Sequence, residues 1–301
     1  MKLQFMISLA KFSKRFYCFG VCLLFFVCTA SAQYNALFWK ISGNGLHKPS
    51  YIYGTMHVSD DRVFQFSKGV MPAFARSKAF AMELDPDQIF SPSLVASMMM
   101  DTAHSIRKSL PDSDYVFLDS IMMKATGVSF SLLDRLSPVL ISAMLEQSEV
   151  NASATNSAKQ QHDFLDMYFW GLAKKGKKKV IGIESVAEQI SALQSLSYPE
   201  QITMLQEELH KMKEPVSGEQ NILELYVKGE LDSLQTKGND TNMPALFYKA
   251  IVTDRNERMA ERIDKFIHIN PSFIAVGALH LASPKGIIGL LIKKGYKLEP
   301  I

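Results

Sequence analysis

Cysteine is confined to the first 28 residues of this 301-residue chain, where Cys18, Cys22 and Cys28 are the only three. They sit in a segment in which Lys2, Lys11, Lys14 and Arg15 precede the mostly apolar stretch Phe16 to Thr29 and an Ala30-Ser31-Ala32 box. That order predicts a secretory signal peptide over residues 1–32, with cleavage before Gln33. An uncleaved anchor is the alternative. Bulky Phe26 and Val27 ahead of Cys28 argue against a lipoprotein cleavage box. The expected mature chain then has no thiol, which excludes disulfides, thiolate zinc centres and cysteine nucleophiles.

Two further features are missing after the leader. No later segment approaches about 18 consecutive apolar residues, so no stable membrane insertion is expected and a periplasmic or secreted protein follows. Nor is there excess charge of either sign. The leader takes four of the 33 basic residues and none of the 30 acidic ones, leaving a net charge of about −1. A nucleic-acid partner has no electrostatic basis, and Lys174-Lys175-Gly176-Lys177-Lys178-Lys179 reads as a solvated turn.

What the chain does contain is one motif twice. Tyr51-Ile52-Tyr53-Gly54-Thr55-Met56-His57 and Phe273-Ile274-Ala275-Val276-Gly277-Ala278-Leu279-His280 each run from an apolar, β-prone stretch into Gly-x-x-His. Sixteen glycines and seven histidines would give about 0.4 such tetrads by chance. The shared context therefore carries more weight than the tetrad. Each apolar run reads as a strand buried on both faces, and ligands gather beyond the carboxyl ends of such parallel strands.

About 270 residues suffice for one α/β domain or two intimate halves. Phe38 to Ile41 and Ser50 to Tyr53 flank Gly43-Asn44-Gly45 as an expected hairpin. Ser67 to Ser77 reads as a helix and Ala79 to Leu84 as a strand bearing Glu83, giving a βαβ pattern. A helical insertion is expected over about 91–175, with its methionines in core stripes. Lys179 to Ile183 is a further strand, ending in Glu184, and Val186 to Leu196 a helix. Amphipathic helices are expected over Glu200 to Met212 and Glu219 to Lys228, then a loop from Lys237 to Asn242. One long helix, Met243 to Ile267, carries Arg255 and Asn256 and allows an Asp254–Arg258 pair. After the second Gly-x-x-His come a helix to Lys294, a Gly295 cap and a strand from Tyr296 to Leu298, in another βαβ-like arrangement.

Two strand-end histidines and Glu83 supply the donors a divalent first-row metal takes, and Glu184 is a candidate to accept a proton from water or to add a ligand. A local His-Glu-x-x-His chelate is absent. Plainer readings stand beside this one. The histidines could be hydrogen-bonded core residues, Glu184 a carboxylate at a helix start, and Arg255 a structural partner of acids in a cleft.

Tyr53-Gly54-Thr55-Met56-His57, Met82-Glu83-Leu84-Asp85, Gly182-Ile183-Glu184 with Glu188-Gln189, Arg255-Asn256, Val276-Gly277-Ala278-Leu279-His280-Leu281 and Gly295-Tyr296 together resemble the TraB/GumN family, which is related to the Tiki proteins. The likeness runs from about residue 36 to the end. It implies two related α/β halves, each contributing a Gly-x-x-His, and a fold similar to erythromycin esterases and haem-associated ChaN proteins. For Tiki members it implies a metal-dependent protease favouring manganese or cobalt. Residue by residue, His57 and His280 match the motif histidines, Glu83 the acid after the first, and Arg255 with Asn256 the Arg-Asn pair. Met56 and Met82 are apolar variants within the motifs. The expectation is a divalent-metal hydrolase acting on a peptide or small-molecule substrate, with Arg255 and Asn256 holding the substrate or its developing oxyanion. Haem or small-ligand binding, and a metal-free esterase with His57 as base, are the alternatives.

Overall fold

The structure is a computed structural model that describes residues 34–58, 60–88, 98–101, 103–153, 164–213, 222–239 and 243–301. The expected leader and residues 91–97, 102 and 154–163 of the expected insertion lie outside the described residues. Among the described residues no helix is long and apolar enough to cross a membrane.

A six-stranded mixed sheet flanked by helices organises the chain. Its strands are β1 (Phe38–Gly43), β2 (Ser50–Thr55), β3 (Ala79–Met82), β4 (Lys179–Gly182), β5 (Ser272–Gly277) and β6 (Tyr296–Pro300). The spatial order is β4-β3-β5-β2-β1-β6. β1 and β2 form the expected antiparallel hairpin, with Gly43, Asn44 and Gly45 all at positive φ in the turn. β2, β5, β3 and β4 are mutually parallel, with β5 between the two strands that the first helix, α1 (Val70–Arg76), connects. β5 and β3 are almost wholly buried, as their continuous apolar sequences require of central parallel strands.

The final element keeps the parallel sense of the expected βαβ-like ending but not its adjacency, since β2 and β1 lie between β5 and β6. β6 pairs antiparallel with β1 at the far edge. Both neighbours of β5 are already taken by β2 and β3, so the returning chain closes the only accessible side of the hairpin.

Helix α2 (Asp112–Thr126) packs with α3 (Pro138–Ser153) and the later α6 (Tyr198–Lys213) around Leu118, Met122, Phe130, Ile141, Leu145, Leu205 and Leu209. This cluster is separate from the main core. α4 (Leu165–Lys175) instead lies on the sheet, where Phe169 meets Phe273 at 5.0 Å, Phe74 at 5.6 Å and Tyr53 at 5.8 Å. Such ring contacts add roughly 0.5–1.5 kcal/mol each to the burial of the rings themselves.

α5 (Val186–Leu193) begins with a reciprocal capping box between Ser185 and Glu188. α7 (Ile222–Val227) delivers Tyr226, whose hydroxyl donates to Gly54 O at 2.8 Å. α8 (Leu231–Asn239) continues through Lys237, where a loop was expected, and Thr236 Oγ1 donates back to Asp232 O within it. The expected long helix starts at Ala245, widens into a π-helical turn at Lys249–Thr253 and becomes α9 (Asp254–Ile267). Asp254 pairs with Lys249 from that turn, rather than with Arg258 as anticipated. α10 (Ile287–Lys293) leads to Gly295, at φ +93°, and then β6.

Candidate functional site

Parallel pairing puts the carboxyl ends of β2, β5, β3 and β4 along one edge of the sheet. His57 follows β2 by two residues, Glu83 follows β3 directly, Glu184 follows β4 by two and His280 follows β5 by three. Four residues separated by up to 223 positions are gathered by topology alone. The motif glycines allow the close approaches involved. A Cβ on Gly54 would stand 2.8 Å from a methyl of Leu281, and one on Gly277 would stand 3.2 Å from Glu83 Oε1. In place of that Cβ, the Gly277 N–H donates to Glu83 Oε1 at 2.7 Å.

Arg255 binds the two glutamates together. Its Nη2 donates to Glu83 Oε2 and to Glu184 Oε2, both at 2.6 Å, and its Nε donates to Glu184 at 2.9 Å and 3.2 Å. Gln189 Nε2 adds a 3.1 Å bond to Glu184, and Arg258 stands 3.7 Å from it. The Glu184 side chain is fully buried. Its placement is what a buried carboxylate requires, since removing water costs several kcal/mol per ion without a paired charge. Burial alone would raise the Glu83 pKa, but the charges of Arg255 and His57 and the Gly277 N–H hold it below the usual carboxylate range. Burial likewise opposes the charge on Arg255, and the two carboxylates reverse that, raising its pKa further.

The histidines are held by different means. His280 is buried, and its Nδ1 lies 2.6 Å from Asn256 Oδ1. Asn256 Nδ2 donates to the Lys285 carbonyl at 3.0 Å, which fixes the orientation of the amide. The Asn256 oxygen must therefore accept, and Nδ1 of His280 carries the proton. Nε2 is left with a lone pair on the Glu83 side, 3.9 Å from Oε1 and too far for a direct hydrogen bond. Burial lowers the His280 pKa, with Glu83 opposing more weakly, so the ring is held neutral.

His57 is 55% exposed in its side chain, and its Nε2 contacts Asp166 Oδ2. Burial of its inner part lowers its pKa, but the bond to Asp166, that carboxylate's charge and Glu83 outweigh this and raise it to about 9.

Asp166 escaped the sequence reading. It lies in the first turn of α4, beside the buried stripe Leu165, Phe169 and Ala173, and is itself only 8% exposed. A carboxylate three residues before a buried phenylalanine in an apolar helix was the available signal. Together with His57, Glu83 and Gln189 it lines a cavity of about 200 Å³, otherwise walled mainly by Met82, Leu84, Pro86, Phe164 and Met167. Arg255, Asn256 and Glu184 are not part of that lining. Their polar groups face other side chains or the backbone, as described above.

The donors fit a divalent ion in type: two imidazoles, two carboxylates and no thiolate. One oxygen, Asp166 Oδ1, is buried without a hydrogen-bond partner among the described residues. The donors stand as two pairs, His57 with Asp166 and His280 with Glu83. Among the described residues no group of three His, Cys, Asp or Glu side chains is placed to enclose an ion as it stands.

Comparison with known proteins gives a consistent picture. The model of the TraB/PrgY/gumN family matches residues 37–300. Metalloprotease TIKI1 of Danio rerio is 24% identical over 90% of this chain, and the chain spans 64% of that protein's length. The Metalloprotease TIKI homolog of Nematostella vectensis is 23% identical over 90% of this chain and 68% of its own. An uncharacterized protein of Treponema pallidum is 22% identical over 93% of this chain and 90% of its own. No solved structure matches.

Proposed function

The chain belongs to the TraB/PrgY/gumN family, and on that premise we propose that it is an exported, metal-dependent hydrolase of peptide bonds, secreted or periplasmic once its leader is removed. The observation that carries this reading is the placement of both Gly-x-x-His histidines beside carboxylates at one sheet edge. Relatives named metalloproteases, at 22–25% identity, support the reaction class. His57, Glu83 and His280 would hold the ion. Such an ion supplies a Lewis acid for a carbonyl and lowers the pKa of water bound to it.

The remaining residues prepare that site. Asn256 keeps the Nδ1 proton of His280 and so keeps Nε2 available for coordination. Arg255, clamped by Glu184, fixes one oxygen of Glu83 and balances two buried negative charges. Met82, Leu84, Pro86, Phe164 and Met167 offer an apolar wall that excludes water and accommodates an apolar substrate side chain. Glu184→Gln separates the two roles open to Glu184. Lost turnover with unchanged stability and metal affinity makes it the proton acceptor, whereas a fall in stability assigns it to holding Arg255.

The test is turnover of a peptide mixture by the leaderless protein supplied with manganese or cobalt. Cleavage should stop on chelation and return with the ion. The contact between His57 and Asp166 favours one second reading, a metal-free ester hydrolase in which Asp166 orients His57 as a general base. That activity would survive chelation.

A further inference from the structure

Asp166 has two features that a carboxylate serving only the fold does not need. One oxygen, Oδ1, is buried with no hydrogen-bond partner among the described residues, although an unpaired buried acceptor costs roughly 1–3 kcal/mol. The other, Oδ2, is pressed against His57 Nε2. The side chain also lines the cavity that Glu83 lines from the sheet. Its position is rigid, because Leu165 and Phe169 on either side of it are fully buried in the main core. An acid in the first turn of a helix gains from the helix dipole, but that gain persists at the surface and explains neither the burial nor the unpaired oxygen. Phe164, which precedes the helix, provides no side-chain cap that Asp166 would be supplementing.

We propose that Asp166 is a fourth protein ligand of the same divalent ion, coordinating through its carboxylate beside His57. The inference rests on reading this cavity as a metal centre. A cation there satisfies Oδ1 and takes the place of the proton that His57 Nε2 shares with Asp166 Oδ2. It also makes the two half-sites one, with His57, Asp166 and Glu83 lining the cavity and His280 joined to them through Glu83, its Nε2 3.9 Å from Oε1. Two imidazoles and two carboxylates form a harder set than the thiolate-rich sites of structural zinc, and such a set suits manganese or cobalt. α4 then joins the sheet edge as a structural part of the centre, which accounts for an acid among Leu165, Met167, Tyr168 and Phe169.

The experiment is cobalt(II) titration of the full leaderless protein and of Asp166→Asn, with affinity and the visible absorption of the ion as readouts. Asparagine keeps the shape and can still hydrogen-bond to His57, so it removes coordination by the carboxylate while sparing orientation. Loss of an orienting partner behind a ligand typically costs about 10–100-fold in affinity. A ligand role predicts a loss of at least about 100-fold together with a changed cobalt spectrum. Affinity held within that bound, or an unchanged spectrum, overturns the proposal and leaves the metal centre standing. A wild-type protein that binds no cobalt overturns both. Thermal unfolding of the apo-proteins verifies the fold, and Asp166→Ser is the second variant if asparagine is not tolerated.

Discussion

The two Gly-x-x-His segments leave adjacent parallel strands in nearly the same register, yet they deliver histidines of opposite character. Thr55 is paired with Gly277, so the chains turn off the sheet together. His280 then folds back into a short 3₁₀ turn, becomes 93% buried and is locked by Asn256. His57 continues in an open segment, half-exposed, with its pKa raised by a carboxylate. A shared motif fixes where a backbone leaves a sheet, while the helix packed against each exit sets the protonation of the side chain. That helix is α9 for His280 and α4 for His57.

The comparison can be broken most forcefully at its hinge. Arg255→Met removes the cation shared by Glu83 and Glu184 and should destabilise the protein by about 3–5 kcal/mol, because it leaves buried carboxylates uncompensated. Chemical denaturation measures this, and a change below about 1 kcal/mol would show the pair to be dispensable to the fold. Next in size, Asn256→Leu should reduce metal affinity by about 10–100-fold through release of the His280 tautomer. His57→Asn should leave the His280 tautomer unaltered, which imidazole nitrogen shifts would report.

Stability separates the two histidines further. His280→Ala orphans Asn256 Oδ1 and should cost roughly 1–3 kcal/mol in the apo-protein across neutral pH, whereas the cost of His57→Ala, which strips the buried Asp166 carboxylate of its partner, should be greatest below pH 6.5 and fall as pH rises through about 9. Losses with the same pH profile would erase the contrast.

The smallest effect lies outside the site, at Glu188, which caps α5 and pairs with Arg262 at 2.6 Å. The Arg262 hydrogen bond, opposed by burial and reinforced by Ser185, brings its pKa to about 2. A depressed folded pKa stabilises above the unfolded value and ceases to do so as pH falls through the folded one. The contribution, about 1 kcal/mol for a pair this exposed, should be complete above pH 4.5 and fade toward pH 2. Glu188→Gln should flatten that part of the acid-unfolding curve.

These contrasts also mark how far the sequence could be read. The four parallel strands were legible because Ile52-Tyr53, Phe80-Ala81, Val180-Ile181 and Ile274-Ala275 are continuous apolar runs, and parallel order brings their carboxyl ends together. That step alone gathered His57, Glu83, Glu184 and His280. The destination of β6 was not legible, since it depends on which sheet edges were already filled. Nor was the division of labour at Arg255 and Asn256, whose positions relative to the sheet follow a π turn at Lys249–Thr253. Asp166 was hidden for a related reason. No motif surrounds it, and its importance comes from packing Phe169 onto Phe273.

The central claim is that His57 and His280 bind one ion together. Metal content after equilibration with manganese or cobalt and removal of free ion, compared among wild type, His57→Ala and His280→Ala, tests it most directly. The account predicts one ion per chain in the wild type and none retained in either variant, with all three proteins folded. A folded wild type without metal, or a variant that keeps its full complement, would contradict it.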